Sequence, residues 1–114
     1  MSAVTTHVLD AATGTPAAGV VVVLERSGDD GWDQVAAGTT DADGRCRTLG
    51  PETGAGMPPG TYRLTFATGD WFAAAGRDTF YPYVVVAFTL AADRAHHHVP
   101  LLLSPFAYST YRGS

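Results

Sequence analysis

The stretch TYRLTFAT, residues 61–68, decides the fold class. Tyr62, Leu64 and Phe66 fall on one face and Thr61, Arg63 and Thr65 on the other. That period of two belongs to a half-buried β-strand, because successive side chains of a pleated chain point to opposite sides. Strand patterns recur on both flanks. Upstream, GVVVVLER (19–26) is a valine run suited to a pleated surface. Residues 4–9 and 32–40 also read as strands, with a short extended piece at 46–49. Downstream, residues 83–90, 96–103 and 106–112 close the series. Turn-rich segments separate them: AATGTPAAG (11–19), SGDDG (27–31), TTDADGR (39–45) and the Ser104-Pro105 corner. GPETGAGMPPG (50–60) reads as a surface loop. Asp70 before WFAAAG is the expected N-cap of one or two helical turns that Gly76 ends. About eight strands and one helix at this spacing predict an antiparallel β-sandwich.

Bulk composition narrows the function classes. The 114 residues fit one domain, spanning 1–114, and are enough to build a core without staples. A net charge of −4, with only seven Lys and Arg together, argues against a nucleic-acid surface, which needs clustered positive charge. Cys46 is the single cysteine, so no intrachain disulfide forms and a reducing compartment is expected. The start, MSAVTTHVLD, lacks the basic and apolar regions of a signal peptide. The apolar runs are strand-sized, short of the ~20 residues of a membrane helix. A cytoplasmic protein without membrane partners is the expectation.

Strand parity singles out the histidines. In the first strand Val4, Thr6 and Val8 share one face, and Thr5, His7 and Leu9 the other. In HHHVPLLL (96–103), His97, Val99, Leu101 and Leu103 form the core face, which leaves His98 beside Pro100 and Leu102 on the opposite side. Two strands thus each present a histidine next to apolar residues on the face away from the core. Such a face suits a partner subunit, whose docking would enclose both imidazoles in a groove. Other chemistry has weaker support. His96 and His98 lie at i, i+2, but neither cysteine nor carboxylate stands at a ligand spacing, so no metal site is expected. No motif surrounds Cys46, and the glycines of TGAGMPPG do not join a strand to a helix.

Four segments carry a resemblance: THVLD (6–10), DADGR (41–45), HHHVPLLLSP (96–105) and the terminal YSTYRGS (108–114). Together they resemble the 5-hydroxyisourate hydrolases, transthyretin-like proteins of purine breakdown. The likeness covers essentially the whole chain, and the YRGS ending is its most specific piece. It implies an eight-stranded sandwich of two four-stranded sheets with one short helix. It also implies a homotetramer, a dimer of dimers with its sites between dimers, and no metal or organic cofactor. The implied reaction opens 5-hydroxyisourate to 2-oxo-4-hydroxy-4-carboxy-5-ureidoimidazoline in urate degradation.

Carried over residue by residue, the resemblance implies catalytic roles for His7, Arg45, His98 and Ser114. Substrate contacts would come from His7, Arg45 and Tyr111. The position between the two outer histidines is commonly aromatic in the family and is His97 here. Histidine is the natural base at neutral pH, and an arginine stabilises developing negative charge; the sequence does not separate the roles of His7 and His98. Parity points Tyr111 toward the groove and Arg112 away from it. The terminal YRGS is expected to enter the catalytic channel, with Gly113 letting the chain pass close to a neighbour. The competing reading is a transthyretin-like small-ligand binding protein without catalysis.

Overall fold

A computed structural model describes residues 2–52 and 57–114. In chain order the elements are β1 (Ser2–Asp10), β2 (Thr15–Pro16), β3 (Val21–Gly28), β4 (Gly31–Thr39), β5 (Arg45–Glu52), β6 (Gly60–Phe66), α1 (Thr68–Ala74), β7 (Val84–Leu90), β8 (His97–Ser104) and β9 (Ala107–Thr110). One sheet has the order β4-β3-β6-β7. In the other, β1 lies between β5 and β8, and β9 follows β8. The two-residue β2 continues the β5 edge of β1, opposite Leu9 and Asp10. The eight expected strands are therefore present, with β2 as an addition inside a segment too turn-rich to suggest pairing.

The alternating stretch of β6 behaves as its pattern requires. Tyr62, Leu64 and Phe66 are almost completely buried, while Arg63 and Thr65 stay partly open. The buried face meets Val22 and Leu24 of β3, Val84 and Val86 of β7, Val4 and Val8 of β1, and Val99, Leu101 and Leu103 of β8 in one core. The Tyr62 hydroxyl donates to the Pro58 carbonyl at 2.7 Å, so this large side chain is buried with its polar end satisfied.

Three expectations need correction. The sandwich is not wholly antiparallel: β1 and β8 run parallel, with Val4 opposite His97 through Asp10 opposite Leu103. Alternation reports which face is buried but carries no information on strand direction. These two strands are far apart in sequence, so no hairpin forces them to be antiparallel. Asp70 does not cap α1; Ala67 occupies that position without a side-chain cap, and Asp70 lies in the first turn. There its charge faces the positive end of the helix. Gly76, at φ 68°, ends the helix as expected. The loop expected over 50–60 is shorter, because β5 runs to Glu52; residues 53–56 lie outside the described part.

Asp10 closes β1 from inside. Its carboxylate is buried and accepts from the Ala12 and Thr13 amides and from Arg77 Nη1 at 2.6 Å. Burial alone would raise its pKa, yet the hydrogen bonds from Arg77 and Thr13 hold it below the ordinary carboxylate value. The segment after α1 is thereby tied to the end of β1.

Candidate active site

The outward face of the β5-β1-β8 sheet collects the polar residues singled out by parity. His7 pairs with Arg45 across the β1–β5 ladder, and Thr5 lies beside His98 across the parallel β1–β8 ladder. Thr5 and His7 share a side of β1, so imidazole, hydroxyl and guanidinium come together from three strands. Val4, Thr6 and Val8 face the core, and His7 and Leu9 are half-buried on the opposite side.

The DADGR segment builds one wall. Asp41 Oδ1 accepts from the backbone N–H of Asp43 and of Arg45, folding the segment into a tight turn. Gly44, at φ 76°, lies so close to β1 that an added Cβ would sit 2.4 Å from the Val8 carbonyl oxygen. Only glycine fits both that approach and that backbone conformation. The turn directs the Asp43 carbonyl at His7 Nε2, 2.9 Å away, and starts β5 on Arg45. A carbonyl only accepts, so His7 carries its proton on Nε2 and, when neutral, has a bare Nδ1.

His98 lines a cavity of about 240 Å³ together with Thr5, Thr6, Arg45, Arg47, His96 and Ser114. Its Nδ1 lies 2.8 Å from Thr5 Oγ1, which is also 2.9 Å from His96 Nε2. Burial chiefly, then the positive charge of Arg45 and the neighbouring His96 and His7, hold the His98 pKa below the ordinary imidazole value; a hydrogen bond with the Thr5 backbone opposes them. The ring is therefore neutral at pH 7, as a proton acceptor must be.

The C-terminal residues reach the same place. β9 ends at Thr110, and the Gly113 N–H donates to the His98 carbonyl at 2.9 Å. Gly113 is buried against the imidazole itself. A Cβ there would lie 2.5 Å from His98 Cδ2, inside any real contact distance, while Ser114 lines the cavity beyond.

Tyr111 and Arg112 do not follow the parity expected of them. The strand has already ended, and both line a second cavity of about 410 Å³ with Phe88, His97 and part of His98. Within one chain, then, Arg45, His98 and Ser114 line one cavity, His7 stands beside Arg45 on the β1–β5 ladder outside that lining, and Tyr111 lies to one side. A larger cavity, about 560 Å³, involves Leu90, Asp93 and Arg94 at the far end of β7 and holds no imidazole. Among the described residues no group of three or more His, Cys, Asp or Glu side chains is disposed to hold a metal ion. Thr5 is the site residue that parity placed on the correct face without assigning it a task.

His97, pointing the other way, is buried in the core and only 6% exposed. Its Nε2 accepts from the Ala91 N–H at 3.1 Å, which leaves the ring proton on Nδ1, without a partner among the described residues. Burial first, then the nearby Arg94, His96 and Arg112, lower its pKa, against Asp93. The unfolded ring takes up a proton near pH ~6.5, before the folded ring does. The unfolded state thus binds more protons, and stability falls as pH drops through that value. His97→Phe should lose less stability than the parent between pH 8 and pH 5, measured by urea unfolding. An unchanged pH slope would mean that His97 is not the group responsible.

Known proteins share this sequence and fold. The HIUase/Transthyretin family model matches residues 4–113. A 5-hydroxyisourate hydrolase of Salmonella dublin is 52% identical over 95% of this chain and 78% of its own length. The solved structure of Klebsiella pneumoniae 5-hydroxyisourate hydrolase superposes with a TM-score of 0.84 at 43% identity, covering 100% of this chain and 94% of that one. Sea bream transthyretin, solved in complex with thyroxine, superposes with a TM-score of 0.89 at 34% identity over 97% and 94% of the two chains.

Proposed function

Since the chain belongs to the HIUase/transthyretin family, we propose that it acts as a single-domain 5-hydroxyisourate hydrolase through His7, Arg45, His98 and Ser114. That it is an enzyme of this activity, rather than a carrier, is supported by relatives of that name at 52% and 45% identity, over 95% and 99% of the chain. The observation that carries the site is the cavity in which a neutral imidazole, a guanidinium and a terminal hydroxyl face one another.

The reaction adds water to an activated ring carbonyl. His98 Nε2 removes a proton from water as its oxygen bonds to the carbonyl carbon. The electron pair displaced onto the carbonyl oxygen meets the Arg45 guanidinium, a planar donor set suited to an oxyanion. When the carbonyl re-forms, the ring C–N bond breaks, and the departing nitrogen recovers the proton from His98. His7, held by the Asp43 carbonyl with its Nδ1 bare, accepts a hydrogen bond from the substrate. The Ser114 hydroxyl orients the attacking water.

The proposal extends to a homotetramer, a dimer of dimers, with this cavity at the interface between dimers. The half-buried outer face of β1 and β8, and the exposed aromatic side chains of Phe80, Tyr83 and Phe106, support a partner surface. Contact of Tyr111 with substrate belongs to that assembled form. Among the described residues no helix is long and apolar enough to cross a membrane, and the unpaired, buried Cys46 suits the reducing cytoplasm we assign to the protein.

The test is the ultraviolet absorbance of freshly generated 5-hydroxyisourate with and without the protein. Decay should accelerate well beyond the spontaneous rate; equal rates would overturn the reading.

A further inference from the structure

We propose that Thr5 and His96 are positioning residues that fix the tautomer of His98, keeping Nδ1 protonated and leaving Nε2 bare to act as the base. The proposal rests on the hydrolase reading for its catalytic meaning, but the hydrogen-bond chain itself stands on geometry.

A threonine hydroxyl has one proton and two lone pairs. Thr5 Oγ1 lies 2.8 Å from His98 Nδ1 and 2.9 Å from His96 Nε2, on a side chain that is only 4% exposed. It cannot donate to both rings. Two arrangements satisfy all three groups. In one, Thr5 donates to His98 Nδ1 and accepts from His96 Nε2–H; neutral His98 then carries its proton on Nε2 and cannot take one from water. In the other, His98 Nδ1–H donates to Thr5, and Thr5 donates to a bare His96 Nε2. His98 Nε2 is then free.

The hydrolase reading selects the second arrangement. Thr5 occupies Nδ1, so Nε2 is the ring nitrogen left to meet water, and it accepts a proton only when the ring hydrogen is on Nδ1. His96 supplies the terminal acceptor, its ring stacked near that of His98 with centroids 6.4 Å apart. The chain runs across two neighbouring strands: β1 carries Thr5, and β8 with the residue just before it carries the two histidines. The backbone ladder therefore sets its geometry, as positioning a catalytic group requires.

Ring-nitrogen NMR of the full-length protein labelled with ¹⁵N-histidine tests this directly. His98 should show a protonated, pyrrole-type Nδ1 and a bare, pyridine-type Nε2 at pH 8. A protonated Nε2 with a bare Nδ1 would overturn the proposal. Thr5→Val keeps the branched shape and removes the hydroxyl. It should mix the two tautomers and lower kcat about tenfold, the worth of one hydrogen bond, with KM within about twofold. Thr5→Ser should restore both, because it restores the hydroxyl. His96→Phe, which removes the terminal acceptor at a half-exposed position, should reproduce the Thr5→Val spectrum even if that variant folds poorly. Unchanged His98 nitrogen signals in His96→Phe would equally overturn the proposal. The spectra decide the tautomer without turnover, so a protein inactive on 5-hydroxyisourate would refute the hydrolase reading and leave this assignment to stand or fall separately.

Discussion

His98→Ala is expected to lower kcat on 5-hydroxyisourate by ~10²–10⁴-fold, the usual cost of losing a general base. The fold should survive the change. The side chain is only half-buried, it belongs to the outward face of β8, and the core face of that strand is held by Val99, Leu101 and Leu103. The loss should therefore fall on kcat, with the circular dichroism spectrum and unfolding midpoint little altered. Steady-state absorbance kinetics at several substrate concentrations separate the effects. Near-parental kcat would remove His98 from the mechanism and move the base to His7, whose Nε2 is tied to the Asp43 carbonyl.

Gly113→Ala is expected to cost about 10²-fold in kcat, although it adds one methyl group at a residue that performs no chemistry. The added carbon would lie 2.5 Å from His98 Cδ2 and within 3.1 Å of its Cβ. The first contact is intolerable and the second is tight, so either the imidazole turns away or the terminal segment lifts and carries Ser114 out of the cavity. A misplacement of about 1 Å in a catalytic group costs on this order. The diagnostic is a double-mutant comparison. The His98→Ala change removes the 2.5 Å contact with Cδ2 and leaves only the tight approach to Cβ, so adding Gly113→Ala should change turnover little further, because coupled neighbours are not additive. Full independent effects in the double variant, or an undiminished kcat in Gly113→Ala, would show that the contact between Gly113 and the imidazole does not position the base.

Much of this protein was legible in its residues because side-chain alternation is a local property with large energetic consequences. A one-residue slip in the β6 stretch would move Tyr62, Leu64 and Phe66 from core to water, so the pattern leaves one choice. The same logic put His7 and Thr5 on one side of β1 and His98 on the matching side of β8. The turn at DADGR was readable too, since Asp43-Gly44 needs a positive φ at the glycine.

What alternation does not encode is which strands become neighbours, in which direction, and how the chain continues once a strand has ended. The parallel pairing of β1 with β8 joins residues more than ninety positions apart, and it alone brings Thr5 between His96 and His98. Parity failed at Tyr111 and Arg112 for a related reason: β9 stops at Thr110, and beyond it the backbone follows the hydrogen bond from Gly113 to His98 rather than a pleat. Composition and period thus determined the sandwich, its core face and the outward histidines. Only the tertiary structure decided the tautomer-setting contact at His98 and the need for a glycine against its ring, because both depend on distances between segments that the sequence keeps apart.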